Sequence, residues 1–312
     1  MRGAGFVLGT AQLGMPYGRT NDLPPPSPAE CVQIVRTAVA AGGDWLDTAR
    51  AYGESERRIG PALCDGWADR VRVATKLHPL GHLPDDAPDG AVRDAVDASV
   101  FRSCRELGQR TLDTLLLHRA HHRTSHGGRV WARLLELRDD GVVGRLGVSV
   151  QSVDEARGAL ADPEVKHVQL PFNVLDWRWR EGGVDRMAAE RPDVTVHARS
   201  ALLQGLLAST GPEPWPVLAE AYQPGEIVAT LARLARELGR DGAPDLCLAY
   251  VRAQPWIHGV VVGIASHGQL LANLRAFDAA PLSAAECAAV EAAVGRVPET
   301  LLNPALWPPG AG

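Results

Sequence analysis

The chain has 312 residues, 46% of them hydrophobic, and a formal net charge of −5. That length suits one α/β barrel, which takes about 250 residues, and the apolar content argues against global disorder. The negative balance argues against a generally nucleic-acid-binding surface.

Five cysteines, at positions 31, 64, 104, 247 and 287, form no CxxC pair, so neither a disulfide framework nor a metal site is expected. The opening MRGAGFVLGTAQLG is too short and glycine-rich in its apolar part for a signal peptide. No stretch approaches the ~20 apolar residues of a membrane span. The expectation is a cytoplasmic protein that engages neither membrane nor nucleic acid.

Short apolar strands alternate with amphipathic helical segments along the chain. GFVLGT (5–10) reads as the first strand, followed by a helix over 28–41. WLDTA (45–49) precedes a helix near 54–63. VRVATK (71–76) precedes a Pro/Asp/Gly loop and a helix near 91–106. TLLLH (114–118) precedes a helix over 130–139, VGRLGVSV (143–150) one over 153–160, and HVQLPF (167–172) one near 184–189. VTVHARS (194–200) leads through a long loop to helices over 226–238 and 244–252, and GVVVGI (259–264) precedes a helix over 268–277.

Eight strands, read as apolar on both faces and each followed by a helix, mean a parallel sheet covered by helices. A closed (β/α)₈ barrel in one domain, 1–312, fits best, with 298–312 as a C-terminal tail. No GxGxxG follows the first strand, which argues against a Rossmann domain. Segments 78–90, 207–225 and 298–312 break the alternation. The first two leave C-terminal ends of strands, where a barrel keeps its active site.

The densest chemistry lies in the run from Gly43 to Glu56, GDWLDTARAYGESE. Asp47 ends an apolar strand, and Tyr52 follows in a glycine-containing turn. A buried carboxylate is costly unless paired. Alone, Asp47 reads equally as the cap of the next turn. Lys76 ends the next strand and His118 the fourth, so three strands deliver an acid, a base and an imidazole to one rim. His121, His122 and His126 follow with no standard ligand spacing and read as a solvated loop.

The segment resembles the DTAxxYGxSE signature of the aldo/keto reductase family. The likeness continues through LGTAQLG, VATK, LDTLLLH, GVVGRLGVS, VQLPFNVLD and VVVGIASHGQLLANL, in family order and spacing. It implies an eight-stranded barrel that reduces a small-molecule carbonyl, with Asp47, Tyr52, Lys76 and His118 as its catalytic tetrad.

In that scheme Tyr52 donates the proton, and a free phenol has a pKa of about 10. An adjacent Lys76 ammonium is expected to lower that pKa. Asp47 would hold Lys76 charged, and His118 would orient the carbonyl or help relay the proton. No metal is needed.

The resemblance also implies a nicotinamide cofactor: NADPH by family habit, with NADH as the alternative. Its site would include Gly9 and Thr10 from the opening motif, with Ser149 and Gln169 on the carboxamide. Ser200, Leu202, Gln204 and Gly205 would line the diphosphate; Gly263, Ser266, Gln269 and Asn273 align with the adenine-ribose region.

The sequence departs from the family pattern at several points. Val150 stands where an Asn is usual, and Arg199 where many relatives stack a Tyr on the nicotinamide; a guanidinium can stack as well. Ile264 and Gln269 replace basic residues that many NADPH users carry, leaving His267 and Arg275 as cations for a 2′-phosphate. Relatives usually open with a β-hairpin that plugs the barrel, whereas the first strand here begins near residue 5. Either that plug is absent or another segment covers the mouth.

Two rival functions share these residues: a noncatalytic cofactor-sensing binding protein, and a redox-neutral epimerase or dehydrogenase of a sugar-like substrate. Trp177, Trp179, Trp215 and Trp307 read either as an aromatic wall for a sugar or ring, or as ordinary packing.

Overall fold

A computed structural model describes residues 3–308. The last four residues of the expected tail, 309–312, lie outside the described residues, as do the first two of the expected domain. Eight parallel strands close in sequence order, β1 to β8, with β1 also paired to β8. The chain runs β1 (Gly5–Gly9), α1 (Ala11–Gly14), α2 (Pro28–Ala40), β2 (Trp45–Asp47), α3 (Ser55–Ile59), β3 (Arg72–Lys76), α4 (Asp89–Leu107), β4 (Leu112–Leu117) and α5 (Arg129–Asp139). It continues through β5 (Val143–Ser149), α6 (Val153–Ala161), β6 (His167–Pro171), α7 (Arg178–Glu181), α8 (Val184–Ala189) and β7 (Thr195–Arg199). It ends with α9 (Pro224–Glu237), α10 (Ala243–Arg252), β8 (Gly259–Gly263), α11 (His267–Asp278) and α12 (Ala284–Val294). This is the (β/α)₈ barrel expected from the alternation.

Local chemistry sets several boundaries. Capping boxes start α2 (Ser27 with Glu30), α6 (Ser152 with Glu155) and α12 (Ser283 with Glu286), each satisfying otherwise orphaned backbone donors. The alanine-rich α12 was not anticipated, although its Ser-x-x-Glu start is legible. The helix expected over 54–63 breaks after Ile59, where Gly60 and Pro61 turn the chain into a 3₁₀ segment. His118 falls just past β4 rather than within it.

Between sheet and helices lies a continuous apolar shell that includes Leu8, Ile34, Leu46, Val96, Leu134, Val168 and Leu248. Inside the barrel the expectation of strands apolar on both faces fails. Trp45, His167 and His197 meet edge to face there, the two imidazoles with centroids 4.3 Å apart. The Arg72 guanidinium lies over the Trp45 ring, 4.4 Å from its centroid. Strand period explains the miss. Every second residue faces the barrel's own axis, a narrow space that a few polar rings can fill.

The tryptophans noted in the sequence are packing residues. Trp179 is fully buried and donates to Asp176, Trp215 donates to Ser209, Trp177 donates to Val297 O, and Trp307 donates to Leu301 O.

His167 and His197 are 0% and 1% exposed. Neither nitrogen of His167, nor Nδ1 of His197, has a hydrogen-bond partner among the described residues. Burial, with the nearby charges of His258, Arg72, Lys76 and Arg145, depresses the His197 pKa to about 3. A depressed imidazole leaves stability intact above the unfolded value of about 6.5. Stability is then lost as pH falls toward the folded value, because only the unfolded chain takes up the proton. Between pH 7.5 and 5 this one group removes about 2 kcal/mol. Urea unfolding at both pH values should therefore show a smaller acid loss in His197→Gln than in the native protein. An identical loss in both would refute the assignment.

Candidate active site

The C-terminal rim gathers the chemistry because parallel strands all end there. Asp47 ends β2 and pairs in register with Ala74. Lys76 lies two residues further along β3, so both side chains point into the barrel. Lys76 Nζ donates to Asp47 Oδ1 and Oδ2 at 2.8 and 2.9 Å and to Thr48 O at 2.9 Å. The ammonium is 1% exposed and the carboxylate residue 3%. Burial works against the Lys76 charge, but Asp47 and Tyr52 outweigh it, and the net shift is upward. Asp47 is thus an ion-pair partner, not a turn cap. Gln169 reaches across from β6 and donates to the same Asp47 oxygen at 2.6 Å, a contact that the sequence did not disclose.

Tyr52 sits in the turn before α3, with Lys76 Nζ 4.8 Å from its ring centroid. The His118 ring meets it edge-on at 5.8 Å. Lys76 hydrogen bonds go to Asp47 and Thr48, so the ammonium acts on Tyr52 as a charge. Its direction is the expected one, downward, but the sum is not. Burial pushes the Tyr52 phenol up more than Lys76 pulls it down, and the phenol stays protonated at neutral pH. His118 moves the other way: burial, then Lys76, Arg119 and Arg199, depress it to about 3, and it is neutral.

The turn is held by close backbone approach. A Cβ on Gly14 would lie 2.1 Å from Tyr52 O, and one on Gly53 would lie 2.6 Å from Gly14 O. Other residues of the GDWLDTARAYGESE run lock the fold. Ser55 Oγ lies 2.7 Å from Thr10 Oγ1, which in turn donates to Asp47 O at 2.9 Å. Glu56 is fully buried and paired with Arg50 and Thr75, while Arg50 also reaches Glu106 at 2.6 Å.

Beside the tetrad opens a cavity of about 350 Å³. It exists where Gly9 and Gly263, paired on β1 and β8, project no side chains. Its walls include Thr10, Asp47, Tyr52, Arg199, Ser200, Leu202, Gln204, Gly205, Gln269 and Asn273, all singled out in the sequence. Lys76, His118, Ser149, Gln169 and Ser266 lie outside that wall. Lys76 stands behind Asp47. Ser149, the last residue of β5, pairs in register with Gln169 in the middle of β6, and Ser266 caps α11 by accepting from Gln269 N.

The loop after β1 was missed. Gln12, Tyr17, Thr20 and Asn21 also line the cavity. Tyr17 accepts from Gln204 Nε2 at 3.0 Å, and Arg19 N donates to Gln204 O at 3.1 Å, so this loop lies against the one after β7. The rule that marks the C-terminal ends of strands β3 and β7 applies equally to β1.

The cavity suits a nicotinamide cofactor. The buried amide oxygen of Gln12, on the cavity wall, has no partner among the described residues, which matches an amide-bearing ligand. Left-handed backbone at Ser200, Leu203 and Gln204 marks local strain of the kind stored at ligand sites.

Fold and rim together define a barrel oxidoreductase. The aldo/keto reductase family model matches residues 6–294, and the chain belongs to that family. It is an NAD(P)H-dependent oxidoreductase acting on carbonyls. An uncharacterized oxidoreductase, YqkF, of Bacillus subtilis is 26% identical over 275 residues, 84% of this chain and 87% of its own. An aldo-keto reductase of Mycolicibacterium vanbaalenii is 31% identical over 166 residues, 51% of this chain and 53% of its own. The holo form of the aldo-keto reductase AKR11C1 from Bacillus halodurans shares the fold with a TM-score of 0.70 and 22% identity, covering 94% of this chain and 93% of that one. No helix among the described residues is long and apolar enough to cross a membrane.

Glu56 gives a test of the structural half of the motif. Removing one partner of a buried ion pair typically costs about 3–5 kcal/mol. Glu56→Ala should lose stability in that range in urea titrations while affinity for the nicotinamide cofactor, NADPH or NADH, measured by calorimetry, stays unchanged. A stable variant that binds neither NADPH nor NADH would place Glu56 in the site instead.

Proposed function

We propose that the protein reduces the carbonyl of a small aldehyde or ketone to an alcohol with NADPH, and that Tyr52 gives the proton. The observation that carries this reading is the buried Lys76–Asp47 pair beneath the Tyr52 ring, beside a cavity whose wall holds the unsatisfied amide oxygen of Gln12.

Ser149 and Gln169 would hold the carboxamide of the cofactor and Arg199 its ring. Gly9 and Thr10 would belong to the same cofactor site, and Ser200, Leu202, Gln204 and Gly205 would line the diphosphate. Gly263, Ser266, Gln269 and Asn273 would hold the adenine ribose. When bound, the reduced nicotinamide supplies the hydride.

Reduction builds negative charge on the carbonyl oxygen, which needs a proton donor within hydrogen-bond reach. The Tyr52 phenol, held protonated by burial, is that donor. The fixed Lys76 charge stabilises the phenolate left behind, and Asp47 keeps Lys76 protonated. Neutral His118 has one ring N–H to give and orients the carbonyl oxygen.

Tyr52→Phe should keep the fold and cofactor affinity but lower turnover by about 10²–10⁴-fold. The rate of reduction should stay level through neutral pH, with no step near the usual imidazole value, and fall only at alkaline pH as Tyr52 ionises. In Lys76→Met turnover should drop and the alkaline limb should move to higher pH, because the phenol loses the charge that pulls its pKa down. Near-native turnover in Tyr52→Phe would pass the proton to His118 or water. Cofactor binding without turnover on any carbonyl would support a noncatalytic binder.

NADPH is favoured by Arg275, an exposed cation on α11, the helix that carries Gln269 and Asn273. His267 is engaged with Thr37 Oγ1 at 3.3 Å. Arg275→Ala should weaken NADPH in calorimetry by about fivefold or more and leave NADH unaffected, as a charge-assisted phosphate contact requires. Tighter binding of NADH than NADPH by the native protein would overturn the choice.

A further inference from the structure

Arg199 is the one Lys or Arg in the cavity wall among the described residues. It ends β7 and is only partly exposed. Its Nη2 donates to Val150 O at 3.2 Å and to Gln151 Oε1 at 2.8 Å, both uncharged acceptors. No carboxylate pairs with it among the described residues. Burial acts on its charge most strongly, followed by Tyr52, Tyr17, Asp47 and Arg119. Asp47 is the one carboxylate in that group, and Lys76 already neutralises it.

A sequestered guanidinium without a counter-ion is costly, and such a cation is ordinarily paired. The neighbouring groups do not relieve the imbalance. Arg119, on the residue after His118, is exposed and has no side-chain partner among the described residues. Lys76, Arg119 and Arg199 all act on His118 as positive charges. The Arg199 bonds to Val150 and Gln151 hold its guanidinium beside the end of β5, on the same cavity wall as Tyr52 and Asp47. A guanidinium can offer its face to a ring and its edge to an anion at once, so both uses fit one side chain.

Building on the reductase reading above, we propose that the carbonyl substrate carries an anionic group, carboxylate or phosphate, and that Arg199 recognises it. Arg119 adds long-range attraction from the mouth. Arg199 is thus a specificity-determining residue: it anchors the substrate's acid group and so presents the carbonyl to Tyr52.

The test compares matched substrates with NADPH: 4-formylbenzoate against its methyl ester, and glyceraldehyde 3-phosphate against glyceraldehyde. The native protein should favour at least one anion over its neutral partner by about tenfold or more in kcat/KM, mainly through KM. High salt should shrink the ratio. The anionic group preferred tells carboxylate from phosphate. Arg199→Gln should bring the ratio near one, and Arg199→Lys should restore part of it. A native ratio near one for both pairs, a ratio that survives in Arg199→Gln, or equal losses on acid and ester would overturn the proposal.

A second readout does not need turnover. Calorimetry with 4-(hydroxymethyl)benzoate, and with glycerol 3-phosphate, should show binding of one anion that Arg199→Gln abolishes. Arg199-dependent binding by a protein that reduces no carbonyl would keep the anion site and remove the reductase reading. Absence of binding for both anions would remove the anion site.

Discussion

One buried charge organises the rim. An ammonium shielded from water costs several kcal/mol unless its donors are met. Lys76 meets that cost with both oxygens of Asp47 and the carbonyl of Thr48. The requirement fixes β2 beside β3 in a register that points Asp47 and Lys76 the same way. It also brings Gln169 from the far side of the barrel onto Asp47. Tyr52 and His118 then stand in the field of a charge that cannot leave.

The same field explains why the two titratable groups above Lys76 separate. A phenol is neutral when protonated, so burial favours its proton and holds it on Tyr52. An imidazole is charged when protonated, so burial and three cations strip the proton from His118. Two groups in one environment thereby take opposite roles, a proton donor and a neutral hydrogen-bonding group. Lys76 opposes burial at Tyr52 without overcoming it, and its larger contribution is to the phenolate that follows proton transfer.

The barrel interior has two unequal halves. Toward the C-terminal rim, glycine on β1 and β8 leaves one side open, while Asp47, Lys76 and Arg199 occupy the others. Below that layer, Trp45 and two neutral histidines fill the axis. A packed floor supports the reactive groups, and its cost is sensitivity to acid. The left-handed residues of the β7 loop and its contact with the β1 loop complete the cavity on the glycine side.

The sequence by itself determined the order of elements and most of the rim. Eight alternating strand–helix units fit a closed parallel barrel better than an open sheet, and a polar residue ending an apolar strand, as at Asp47 and Lys76, announces itself because burial there demands a partner. It also carries α12 in the local signal of its Ser283 and Glu286 cap. Tertiary structure alone decided what depends on distance across the barrel. Which residues fill the axis could not be seen, since His167 and His197 become neighbours of Trp45 only when β6 and β7 close against β2. The Gln169–Asp47 bond spans 122 positions of chain, and the β1 loop meets the β7 loop across 187. The protonation of Tyr52 was likewise beyond the sequence, which names the Lys76 charge but not the burial that outweighs it. Periodicity reports which way a side chain points; only closure of the sheet reports what it meets.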